Sequence, residues 1–86
     1  TDCRHVYHLY VIRSADRESL REKLRTAGVA TGIHYPVPVH RQAAYTHLLP
    51  LSLPVTEQAA GEILSLPMHS TLTAEQIEQV CSAIGA

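Results

Sequence analysis

The stretch from Thr31 to Tyr45, TGIHYPVPVHRQAAY, constrains this chain more than any other, because Pro36 and Pro38 stand two residues apart in its middle. Each proline fixes φ and removes a backbone donor, and each pushes the residue before it, Tyr35 or Val37, towards extended geometry. The segment is therefore stiff and unable to complete a sheet ladder. Its polar tips are His34, Tyr35, His40, Arg41, Gln42 and Tyr45, a set that hydrogen-bonds, stacks and carries positive charge. That is the make-up of a ligand-facing loop. The residues alone fit equally well a connection with a few exposed rings.

The material around this loop is modest. Eighty-six residues with 45% hydrophobic and 17% charged side chains suggest one small domain, spanning 1–86, at a size that buries roughly 60 to 65% of its unfolded surface. Phe and Trp are absent, so the large rings come from Tyr7, Tyr10, Tyr35 and Tyr45, whose hydroxyls each want a partner. A core built this way leans on a neighbour. The net charge of −1, from seven Lys plus Arg against eight Asp plus Glu, lacks the basic footprint of a nucleic-acid binder. No apolar run approaches the roughly 20 residues that span a bilayer, and no signal peptide is evident, so the cytoplasm is the expected compartment. The chain opens on Thr1 and has Met68 as its one methionine, which reads as a segment of a longer protein.

In chain order, His5 to Arg13 alternates as a strand, with Val6, His8, Tyr10 and Ile12 on one face and Tyr7, Leu9 and Val11 on the other; both faces are apolar enough to be covered. Asp16 suits an N-cap, Leu20, Leu24 and Ala27 form a helical stripe, and Gly28 suits the C′ position. Val29 to Tyr35 reads as a second strand, stopped by Pro36. One helical turn fits His40 to Tyr45, and Leu48 to Pro54 reads as loop or extended chain. Val55 to Glu62 reads as a short helix, and Ile63 to Pro67 as a third strand. Thr73 and Gln76 have capping-box spacing before the stripe Ile77, Val80, Cys81 and Ile84, which ends at Gly85. The sum is a two-layer α+β domain of about three strands with helices on one side.

Little in this pattern carries chemistry by itself. His5 and His8 fall on opposite faces of a strand, and His34, His40, His47 and His69 have no cysteine or carboxylate at metal-ligand spacing, so no zinc site is expected. Cys3 lies in a tail and Cys81 on the apolar side of a helix, which favours buried or free thiols over a disulfide. There is neither a nucleophile elbow nor a Gly-rich phosphate loop.

Three blocks in order carry a resemblance: HVYHLYVIR, then AGVATGIHYPVPVHRQAAY, then LPVTEQAAGEILSLPMHSTLTAEQIEQV. Together they resemble the C-terminal part of the DegT/DnrJ/StrS sugar aminotransferases, which are similar to fold type I pyridoxal-phosphate enzymes. The most specific pieces are Gly32-Ile33-His34-Tyr35-Pro36 and Leu64-Ser65-Leu66-Pro67-Met68-His69. Ala43, Ser70 and Leu51-Ser52-Leu53 depart from the usual pattern, all in loops, which puts loop shape and sugar choice in doubt. The resemblance implies transfer of an amino group from an amino acid such as glutamate to a nucleotide-linked keto sugar, with pyridoxal phosphate held mainly by a larger preceding domain, in a homodimer. It implies substrate-binding roles for His34 and Tyr35, with His40 and Tyr45 as second choices bracing the loop. Lys23, the one lysine, lies off the helix stripe and reads as solvated, so no catalytic residue is expected within the chain. A stand-alone metabolite-binding or regulatory module, and a structural interaction domain, remain as alternatives.

Overall fold

The computed structural model describes residues 2–45, 47 and 51–85. Strand β1 (Tyr10–Arg13) leads into helix α1 (Arg17–Thr26), followed by two 3-10 turns (Val39–Arg41 and Ala43–Tyr45), helix α2 (Pro54–Glu62), strand β2 (Ile63–Leu66) and helix α3 (Ala74–Ile84). The two strands pair antiparallel, with Tyr10 opposite Leu66 and Arg13 opposite Ile63. This is the expected α+β class, with two strands in place of three.

The lost strand has a physical cause. Val29 donates its N–H to Leu24 (2.8 Å) and Gly28 to Arg25 (3.0 Å), so the exit from α1 is a Schellman motif with Gly28 at φ 81°. The prolines at the other end have no donor to give. Between these limits the chain meets β2 at one point, where Gly32 and Ser65 exchange both backbone bonds at 3.1 and 2.7 Å. Strand β1 is likewise shorter than the alternation of His5 to Arg13 suggests. Continuing the register would set Leu9 against Pro67, which cannot donate, and Tyr7 turns aside at φ 55°. Val6, Tyr7, Tyr10 and Val11 are accordingly exposed, and the expectation that both faces of this strand are covered does not hold.

The core lies on the helical side. Leu24, Val29 and Leu64 are buried together, and Ile12, Leu20, Leu66, Val80 and Ile84 pack around them. Asp16 caps α1 through Ser19 N–H (3.3 Å). Arg17 Nη1 donates to the Ala60 carbonyl at 2.6 Å and to that of Ile63 at 3.4 Å, which ties the start of α1 to the α2–β2 junction. Pro54 opens α2 at its first position, where its missing N–H costs no helical bond; the helix thus begins one residue before the sequence boundary at Val55. The expected loop from Leu48 to Pro54 lies partly outside the described residues.

Helix α3 begins on a complete capping box: Thr73 Oγ1 accepts from Gln76 N–H (3.2 Å), and Gln76 Oε1 accepts from Thr73 N–H (2.9 Å). Thr73→Ala removes one of these bonds and is expected to cost about 1 kcal/mol, read as a lower denaturant midpoint. The stripe on α3 is only half used. Val80 and Ile84 reach the core, but Ile77 is 50% exposed and Cys81 is exposed, because they flank an open groove beside Tyr10 and Met68. Both cysteines are free. Among the described residues, no helix is long and apolar enough to cross a membrane.

Candidate functional site

His34 stands just beyond the Gly32–Ser65 bridge, and the bridge fixes its ring. Its Nδ1 lies 2.9 Å from Ser65 Oγ, and Ser65 is 4% exposed at the centre of β2. A Cβ on Gly32 would fall 3.0 Å from His34 Cε1, a spacing that side chains do not tolerate without movement. Glycine here thus serves close approach rather than φ, because a larger residue would have to push the His34 ring aside. The Tyr35 ring meets His34 edge-on, with centroids 5.3 Å apart, and is itself 69% exposed. The His34–Tyr35 peptide bond is cis. His34 and Ser65 open onto a recess of about 280 Å³ with Leu9, Thr31 and Met68 at its walls.

The far half of the loop is anchored differently. His40, with its side chain 8% exposed, places Nε2 2.8 Å from Glu57 Oε2, and Arg41 Nη2 sits 2.9 Å from the other oxygen. Glu57 also accepts from the Leu53 N–H at 3.0 Å, so one carboxylate joins the 3-10 turn to the entrance of α2. Tyr45 closes the next turn through its N–H to the Gln42 carbonyl (2.9 Å) and is partly exposed. His34 and Tyr35 therefore form one cluster held from β2, while His40 is turned inward onto α2 and Tyr45 lies beyond it.

The Leu53 N–H foremost, then His40, with the Arg41 guanidinium assisting, hold the Glu57 carboxyl well below its ordinary 4.5, at about 2. A depressed folded-state pKa adds stability that is complete above the unfolded value and disappears as pH falls through the folded one. Exchange protection of the Leu53 amide is therefore expected to persist down to about pH 4.5 and to fall as pH approaches 2. Glu57→Gln should remove that acid-dependent step.

Ser65 and Glu57 escaped the sequence reading. A trace of Ser65 exists in LSLP, where one polar residue interrupts an apolar strand and so must face away from its leucine neighbours. Glu57 shows only as an acid in the first turn of α2, a position normally explained by the helix dipole.

The residues present do not fit a pyridoxal-phosphate-holding site. The one lysine, Lys23, donates Nζ to the Ile84 carbonyl at 3.3 Å and lies against Gly85, capping the end of α3 on the helical side.

The scaffold is thus an α+β domain that holds a His34–Tyr35 pair beside a two-stranded sheet. The sequence profile of the DegT/DnrJ/EryC1/StrS aminotransferase family matches residues 1–85, and the chain belongs to that family. It is 39% identical over 83 residues to dTDP-3-amino-3,6-dideoxy-alpha-D-galactopyranose transaminase of Aneurinibacillus thermoaerophilus, covering 96% of this chain and 23% of that protein. It is 45% identical over 82 residues to erythromycin biosynthesis sensory transduction protein EryC1 of Saccharopolyspora erythraea, covering 93% and 22%. The fold superposes with a TM-score of 0.91 on the crystal structure of S. venezuelae DesV in complex with a ketimine intermediate, at 40% identity, covering 98% of this chain and 23% of that one. The chain thus spans less than a quarter of the length of these relatives.

Proposed function

We propose that this chain is the C-terminal small domain of a pyridoxal-phosphate-dependent aminotransferase, which transfers an amino group from an amino acid such as glutamate to a nucleotide-linked keto sugar. The observation that carries the reading is the superposition on DesV across nearly the whole chain. It is joined by the transaminase names of relatives that act on dTDP sugars. The cofactor belongs to the larger part of such an enzyme, which works as a homodimer in the cytoplasm. It supplies the electron sink for amino transfer, and no step of that chemistry falls to residues of this chain.

What these residues do is bind and orient. With Nδ1 engaged by Ser65, His34 has Nε2 to offer a sugar or phosphate oxygen, and Tyr35 presents a ring face and a hydroxyl. His40 and Tyr45 set the course of the loop, His40 by its bond to Glu57. The test is direct. The full-length enzyme, given glutamate and a nucleotide keto sugar, should release the amino sugar, whereas the 86-residue chain should give no stoichiometric borohydride-trappable adduct at Lys23. A specific adduct at Lys23 that turns over glutamate would overturn the small-domain reading.

A second reading rests on the sensory transduction name of one relative. A regulatory protein of this fold would bind a nucleotide sugar without releasing an amino sugar, and the same incubation separates the two.

A further inference from the structure

Arg17 is a largely buried cation without a close counter-charge. Its side chain is 15% exposed. Nη1 donates to the carbonyls of Ala60 and Ile63, which are neutral, and Nε is buried with no hydrogen-bond partner among the described residues. Its carboxylate partner, Glu18, lies 3.7 Å from Nε and is 69% exposed, and a loose pair in water contributes little. Arg17 is also the first residue of α1, where the helix dipole favours an anion and opposes a cation. The carbonyl end of α2 offsets part of the Arg17 charge. The remainder stays inside the fold, where an unpaired charge is costly. Arg17 lines a recess of about 300 Å³ together with Pro36, Val37, Pro38, Arg41 and Glu57. Arg41 is the single Lys or Arg after Arg25. Its Nη2 sits 2.9 Å from Glu57 Oε1 and its side chain is 58% exposed, so the ion pair uses one arm of a guanidinium that water, or a ligand, still reaches.

We propose that Arg41, together with Arg17, binds the diphosphate of a nucleotide-linked sugar in this recess. The inference rests on the aminotransferase reading above and adds to it which residues of this chain recognise the substrate's charge. Charge is the first support. Two guanidinium groups line the recess against one carboxylate, Glu57, which is already bonded to the Leu53 N–H and to His40. Guanidinium forks match phosphate oxygens through paired, charge-assisted bonds. Continuity is the second. Val37 and Pro38 line both this recess and a neighbouring trough that carries Tyr35, so a long ligand whose sugar meets His34 and Tyr35 follows the prolines to the arginines. The recess beside His34 and Ser65 has neither lysine nor arginine among its walls, which suits a neutral sugar and not the two charged phosphates. Glu57 fixes Arg41 before the ligand arrives, which limits the ordering cost of binding.

The test is calorimetric titration of the full-length enzyme with dTDP, the carrier named in two relatives, with dTMP, which lacks the sugar-linked phosphate, and with inorganic phosphate. Arg17 is left intact because it also ties α1 to the α2–β2 junction. Arg41→Gln should weaken dTDP by about tenfold, the lower end for a charge-assisted bond because Arg41 is more than half exposed. Arg41→Lys keeps the charge and should recover part of that loss. The loss should be smaller for dTMP, and inorganic phosphate should compete poorly with dTDP. Equal losses for the two nucleotides would make Arg41 a brace of the loop, and undiminished dTDP binding would leave the recess to another occupant. Inorganic phosphate binding as tightly as dTDP would make it a general anion site. Each of these results overturns the proposal. The same enzyme is assayed for amination of a nucleotide keto sugar. Arg41-dependent dTDP binding without amination keeps the recess and removes the aminotransferase reading, whereas amination with dTDP binding indifferent to Arg41 does the reverse.

Discussion

His34→Ala in the full-length enzyme should slow amination of the keto sugar by roughly five- to 150-fold while sparing the half-reaction with the amino-acid donor. The magnitude follows from losing one buried or charge-assisted hydrogen bond, about 1 to 3 kcal/mol. The asymmetry follows from size. On the proposed function, a small amino acid would be gripped near the reacting centre, whereas a nucleotide sugar is long and would extend towards the loop that carries His34. Tyr35→Ala should act in the same direction, because its exposed ring contacts His34 edge-on. Ser65→Ala offers a graded comparison. It keeps the imidazole and removes its 2.9 Å partner, so it should reproduce part of the His34 defect. Single-turnover spectra of each half-reaction decide the matter: equal damage to both halves would make these residues supports of the cofactor site, and no damage would return the loop to a stiff connection.

Leu64→Ala should cost about 2 to 5 kcal/mol, among the largest stability effects expected of a single substitution in this chain. Leu64 is wholly buried, pairs across the sheet with Ile12, and packs with Leu24 and Val29. Domains of this length hold roughly 4 to 13 kcal/mol in total, and four hydrophobic side chains are buried among the described residues, so one cavity removes a large share. Amide exchange in β1 and β2 of the full-length enzyme should accelerate together. Ile77→Ala should cost much less, because half of that side chain already meets water in this domain. Equal losses at the two positions would mean that the α3 groove is covered elsewhere in the protein.

The helix ends were legible because their signals are local. Asp16, Gly28, Thr73, Gln76 and Gly85 each act on backbone within a few residues, so spacing alone reveals them. The strands were legible only in part: Ile63 to Pro67 forms β2 and the end of His5 to Arg13 forms β1, but a strand exists only where a partner does. Val29 to Tyr35 has β-prone composition, yet its ladder closes at Gly32 alone, and β1 stops where Pro67 ends its partner. The site divides in the same way. His34, Tyr35 and His40 stand out by type within the proline stretch. Ser65 and Glu57, which orient them, are 31 and 17 residues from their histidine partners and show only in three dimensions.

The register of β1 against β2 brings Arg13 to Glu62 across 49 residues, and the Gly32–Ser65 bridge closes a second, overlapping span. The proline loop and α2 therefore form a closed lobe hung from the sheet, with both of its ends tied. For a flexible closed loop, doubling the length costs only about 0.6 kcal/mol in closure entropy. By that relation, changes in the lobe's length away from the His34–Ser65 and His40–Glu57 ties alter the closure entropy of the scaffold little. The lobe is a region where chain length can be exchanged while the sheet and the histidine anchors keep their ties.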